Sequence, residues 1–244
     1  MKNNIWYALL LLMITTPSFA HFLWIDTPSK GTIGKEQEIQ VFFGEYTSGV
    51  WEKTEGEVFQ DAEDFTMWVV APDGSKIELS VVQKELSFST NFTPKMEGTY
   101  TVIVDNKNYK VLDYTEYDYG IFRPQYHATS KIDVGTGTKK NTASVNPSSL
   151  SIVDISKVAY TQNATVDLQV VFKGKPLADA EVTIFIKDEW SKKMKTDSKG
   201  IISFSLPWNA DYIVEATHED KIPGTFQEKP YQFTWHCAVY TIKF

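Results

Sequence analysis

Residues 165–172, Thr-Val-Asp-Leu-Gln-Val-Val-Phe, decide the fold class. Val166, Leu168, Val170 and Phe172 fall on one side of an extended chain, with Thr165, Asp167 and Gln169 on the other. That period of two marks a half-buried strand. Lys173-Gly174-Lys175-Pro176 turns the chain, and Val182, Ile184 and Ile186 repeat the alternation. Thr196-Asp197-Ser198-Lys199-Gly200 makes another turn, followed by Ile202, Phe204 and Leu206, then Tyr212, Val214 and Ala216. Strand, turn and strand at this spacing, with no helical period, predict an immunoglobulin-like β-sandwich over residues 151–244.

Upstream, residues 128–150 are rich in Ser, Thr, Gly, Lys and Asn. They predict a linker over 135–150, with an edge strand through Lys131 to Val134. Residues 21–134 carry further short alternating runs, among them Ile39 to Phe43, Phe65 to Val70 and Thr99 to Val104. This spacing predicts an N-terminal β-sandwich over 21–134 with no helix, so the chain reads as all-β with two sandwiches. The acidic run at 51–64, with Glu52, Glu55, Glu57, Asp61, Glu63 and Asp64, fits a cation-attracting rim or a solvated loop, and the loop is the commoner form. The tyrosine-rich stretch 109–127 reads as a loop packing its rings over the sandwich, with His127 at its end.

Residues 1–20 have the form of a secretory leader: Lys2, an apolar run from Ile5 to Ile14, then Ser18 and Ala20 as the small residues before a cut. Cleavage after Ala20 makes His21 the first residue of a periplasmic or secreted product. A free α-amine has a pKa near ~8, so it yields its proton to a metal at small cost. The amine and the His21 Nδ1 then close a six-membered chelate ring. No later apolar run approaches the ~20 residues of a membrane span. The net charge of −7 argues against nucleic acid as a partner. Cys237 is the only cysteine, so no intramolecular disulfide forms, and the residue reads as small and buried.

The four histidines are His21, His127, His218 and His236. His218 continues the inward phase of Tyr212, Val214 and Ala216, whereas His236 and Cys237 point to opposite faces of the last strand. Convergence of these imidazoles at the junction of the halves would suit Ni, Co, Cu or Zn. Glu219 or Asp220 would orient the rings. Their spacing forms no local motif, so convergence has to come from the fold. No nucleophile elbow, metalloprotease helix or Gly-rich nucleotide loop is present, which argues against an enzyme.

The segment HFLWIDTPSKGTIGKEQEIQVFFGE, with VVFKGKPLADAEVTI, TDSKG, YIVEATHED and the closing AVYTIKF, resembles the bacterial periplasmic nickel-uptake (NikM-like) proteins. The run GKPLADAEVTI to TDSKGIISFSL also resembles the carboxypeptidase-regulatory and collagen-binding-repeat β-sandwiches. The first resemblance implies an exported metal-binding accessory protein that hands its ion to a membrane importer. It implies His21 as a ligand, then His218; His127 and His236 complete the expected set. Two other functions fit the same residues: a structural or adhesive module, and, less well, a copper oxidase with a histidine brace.

Overall fold

The protein is described as a computed structural model over residues 21–136, 147–187 and 190–244. The expected leader at 1–20 and most of the expected linker lie outside the described residues. The chain is all-β. In order, the main strands are β1 (Phe22–Asp26), β2 (Gln37–Glu45), β3 (Val50–Trp51), β4 (Phe65–Val70), β5 (Phe88–Phe92), β6 (Gly98–Asn106) and β7 (Gly120–Val134). The second half adds β8 (Leu150–Asp154), β9 (Thr165–Phe172), β10 (Glu181–Ile186), β11 (Trp190–Lys195), β12 (Ile201–Ser205), β13 (Tyr212–Asp220) and β14 (Phe233–Ile242).

The alternation at 165–172 does what its pattern predicts. Val166, Leu168 and Val170 are fully buried, while Thr165 is exposed. β9 is flanked by β8 and β12 in a small antiparallel sheet. A second small sheet pairs β1 with β2, β2 with β5, and β3 with the end of β2.

Between these two sheets runs a single large one, in the order β11-β10-β13-β14-β7-β6-β4. It contains strands from both halves of the chain. The seam is β7 against β14, paired in parallel from Phe122↔Phe233 to Thr129↔Tyr240. The division at 135–150 is therefore a division of sequence and not of hydrogen bonding. Tyr126, Trp235, Cys237 and Val239 face one core with β1 and β2. Ala238, Tyr240 and Ile242 face the other core with β8 and β9. Being covered on both faces, β14 is buried at all ten positions.

Residues Lys131 to Val134, expected at an edge, lie inside β7. They pair with Thr101 to Gly98 of β6 on one side, and Asp133 and Val134 also pair with Lys30 and Gly31 on the other. Lys131 is accommodated there by Asp154 of β8, at 2.6 Å. The expectation of no helix in the first half holds except for single turns at Glu57–Gln60 and Thr115–Tyr117. The former buries Phe59 within the acidic run. In the tyrosine-rich stretch, Tyr109, Phe122 and Tyr126 are buried in the first core, and residues from Gly120 onward belong to β7 instead of a loop.

Candidate functional site

His21 immediately precedes β1, and Phe22 pairs with Gly44 near the end of β2. At Gly44 the chain has φ +150°, and a Cβ there would lie 2.2 Å from the Val50 carbonyl oxygen and 3.2 Å from the Trp51 Cα. Only glycine admits so close a return. The return pairs Gly44 with Trp51 and Glu45 with Val50, and the Glu52 N–H donates to the Phe43 carbonyl at 2.9 Å. Glu45 and Glu52 are thereby delivered to the same imidazole. Replacing Gly44 by Ala should cost about 1–2 kcal/mol through backbone strain. Urea unfolding of G44A checks this, and an unchanged midpoint would contradict the close approach.

The His21 Nε2 lies 2.8 Å from Glu52 Oε1, and its Nδ1 lies 3.4 Å from Glu45 Oε1. A carboxylate only accepts, so Nε2 carries the hydrogen donated to Glu52. The ring leans on Phe43 with centroids 5.7 Å apart. The three polar side chains are partly open to solvent, His21 at 32% exposure.

The other three histidines are elsewhere. His127 and His236 are buried and project from the face of the central sheet opposite Tyr126 and Cys237. Phe43, which supports His21, meets Tyr126 on the first-core face. The central sheet thus separates His21 from the rest, because side chains alternate across β7. The expected four-histidine centre of His21, His127, His218 and His236 does not assemble: three come together and His21 stands apart.

Within the group of three, the His127 Nδ1 donates to Asp105 Oδ1 at 2.6 Å, and Lys107 reaches the other Asp105 oxygen at 2.9 Å. The His127 Nε2 is 3.4 Å from the His236 Nδ1. His218 sits opposite His236 across β13 and β14. Its ring packs on Phe172 at 4.4 Å, and Phe172 also meets His236 at 5.2 Å. Burial, with His127, His218 and Lys173 nearby, pushes His236 down to about 3, so it is neutral at any working pH. Burial also lowers His218, against the opposing pull of Asp220 and Glu219. Burial works to raise Asp105, yet the His127 bond and Lys107 hold it below the ordinary carboxylate range. Glu219 accepts from the Tyr119 hydroxyl at 2.8 Å and Asp220 pairs with Lys173 at 2.7 Å, so each carboxylate has work other than orienting a ring. Among the described residues, no set of three or more His, Cys, Asp or Glu side chains is disposed to hold a metal ion.

A family model described as a domain of unknown function, DUF4198, matches residues 18–220, which takes in His21, Glu45, Glu52, His127 and His218. The chain belongs to the DUF4198 family. The match supports no narrower assignment within it. A comparison with curated proteins returned no match. Among solved structures, a DUF4785 family protein from Legionella pneumophila is similar at 13% identity and a TM-score of 0.29, over 79% of this chain and 50% of that one. The DUF4198 chain thus spans half the length of that protein. A two-domain fibronectin type III segment of chicken tenascin is similar at 13% identity and a TM-score of 0.25, over 90% of this chain and 97% of that one.

Asp105 and Glu45 were not singled out in the sequence as site residues, and Glu52 was named only within the acidic run read mainly as a loop. Glu45 directly follows Gly44, near the end of β2, whose close return sets it beside His21. Glu52 was hidden in an acidic run, and Asp105 by its 22-residue distance from His127.

Proposed function

We propose that this DUF4198 protein is an exported, non-enzymatic accessory protein of the nickel-uptake (NikM-like) kind. It captures a divalent transition metal through His21 and passes it to a membrane importer. The observation that carries this reading is the 2.8 Å bond from the His21 Nε2 to Glu52. Metal-bound histidines commonly hand their second ring N–H to a carboxylate, which fixes the tautomer. Here it leaves the Nδ1 lone pair free, on the nitrogen that a terminal amine needs for its chelate ring. Glu45 Oε1, 3.4 Å from Nδ1, supplies a third donor. Amine, imidazole and carboxylate together suit Ni, with Co, Cu and Zn as competitors. The partial exposure of His21 leaves coordination positions for a receiving partner.

The set reaches three donors only after the leader is removed. Ni(II) titration by calorimetry should therefore show micromolar or tighter binding, about −8 kcal/mol, for protein beginning at His21. One added residue ahead of His21 should weaken it tenfold or more. Affinity should also fall as the solution is acidified, because protons compete with the metal for the amine and imidazole nitrogens. Equal binding by the two forms would remove the amine from the site and the proposal with it.

A structural or adhesive module is the second reading. It draws on His127 and His218, which are engaged by Asp105 and Phe172 within the fold. A copper brace would need a second imidazole facing His21, where the described neighbours are Glu45 and Glu52. No helix among the described residues is long and apolar enough to cross a membrane.

A further inference from the structure

The central sheet extends past β1, and the step between them forms a cleft of about 330 Å³. Its size falls at the low end of small-molecule sites, ~300–1,000 Å³. One wall comes from the small sheet of β1, β2 and β3. Trp24 is stacked on Phe42 at 5.5 Å, with Tyr46 edge-on at 5.6 Å and Trp51 tilted at 6.2 Å. The opposite wall comes from the second half of the chain, through Lys187, Asp211 and Lys243. The cleft therefore exists only because the two halves share a sheet, and it lies on the other face of β1 from the His21 group.

The charges in it are balanced. Lys243 bridges Asp26, at 2.9 Å, and Asp211. Lys187 places its ammonium over the Trp51 ring, 4.2 Å from the centroid. Two lysines and two aspartates cancel, so neither a strong anion nor a strong cation is favoured. The cation position over Trp51 is filled by the protein's own Lys187. A purely apolar ligand would desolvate the Asp26–Lys243–Asp211 bridge without replacing its water. The Asp26 and Asp211 side chains line the cleft and keep 46% and 35% of their surface, so both carboxylates stay open to a ligand's donors even though Asp211 also accepts from the Phe244 N–H at 3.2 Å.

We propose that this cleft binds a neutral saccharide. A pyranose ring presents an apolar C–H face, which packs on the partly exposed Tyr46 and Trp51 rings backed by the buried Trp24 once Lys187 swings off Trp51, and a rim of hydroxyls. Those hydroxyls donate to the Asp26 and Asp211 carboxylates and accept from the Lys187 ammonium. The proposal is independent of metal capture, and the protein would carry glycan recognition on one face of β1 and its metal claw on the other.

Tryptophan fluorescence and calorimetry with cellobiose, maltose, lactose and chitobiose test it. At least one disaccharide should bind with a Kd of about 1 mM or tighter. Trp51→Ala should weaken that binding tenfold or more, and Trp51→Phe should retain most of it. Leu86→Arg offers a second variant that leaves the fold alone: Leu86 lines the cleft and is 39% exposed, and a bulky cation there should also weaken binding tenfold. His21→Ala should bind sugar as the parent does, which separates this site from the metal reading. Failure of all four sugars to bind, or binding that survives both Trp51→Ala and Leu86→Arg, would overturn the assignment. So would a preference for tetramethylammonium over every sugar, which would make the site an ammonium cage.

Discussion

Replacing Lys131 by Met should destabilise the protein by about 3–5 kcal/mol, the usual cost of stranding one partner of a buried ion pair. Lys131 and Asp154 are both nearly covered, with side-chain exposures of 10% and 11%, and their charged atoms are 2.6 Å apart. The Lys131 ammonium also lies 3.6 Å from the centre of the Tyr160 ring. Burial pushes the Asp154 carboxyl up, but the Lys131 charge and bonds from Ser156 outweigh it and hold the group below the ordinary range. A depressed folded pKa means that this stabilisation is complete above the unfolded value, about 3.9, and is lost as pH falls through the folded one. The deficit of the Lys131→Met variant, read from urea unfolding, should thus be large at pH 7 and shrink below about pH 4. A double variant, Lys131→Met with Asp154→Leu, should recover part of the loss, because no charge is then left unpaired, while the Ser156 N–H loses its Asp154 acceptor at 2.8 Å. A deficit that stays constant from pH 7 to pH 3.5 would show that packing, and not charge, is lost. The same pair ties β8 to β7 and so ties one outer sheet to the central one.

Glu215 should show the opposite pH behaviour. It lies on the first-core face of β13, where the Cys237 thiol donates to its Oε1 at 3.5 Å. Burial pushes its carboxyl up to about 7, only partly offset by that bond and by Lys193. The unfolded chain releases this proton near pH ~4.3. Between about pH 4.3 and 7 the native state therefore holds more protons than the unfolded state. Stability falls as pH rises through that window and levels off above it. The part of the side chain that remains open to solvent moderates the effect, so the loss at neutrality is about 2–3 kcal/mol. Glu215→Gln, which keeps the shape and discards the charge, should be more stable than the parent by about that amount at pH 8 and equal to it at pH 4. Thermal melts at the two pH values decide this. A variant no more stable at pH 8 would mean that the carboxylate is fully hydrated.

Strands β2, β9 and β12 of the small outer sheets were plain in the sequence because each buries mainly one face. Val166, Leu168 and Val170 alternate with polar neighbours, and the core they enter is local. The position of Cys237 was plain for a similar reason, since a lone small apolar residue in a β run packs inward, and it is fully buried. The shared sheet was not plain. Phe233 to Ile242 is apolar nearly throughout, and such a run is ambiguous between one covered face and two. Its partner β7 lies over a hundred residues away, as Phe122↔Phe233 shows, and nothing local encodes that pairing.

The candidate site divides along the same line. That His21 stands at the head of a strand, behind a leader-like segment, is a matter of residue order, and so is the chemistry a freed amine would bring. Which groups meet that imidazole is a matter of the close return at Gly44 and of the face on which each strand places its side chains. Alternation is certain once a strand is known, but the sheet it joins is chosen by long-range burial. For that reason the amino-acid order alone determined an all-β chain with His21 at the head of its first strand. Only the tertiary structure decided that His21 meets Glu45 and Glu52, while His127, His218 and His236 gather on the far side of the central sheet.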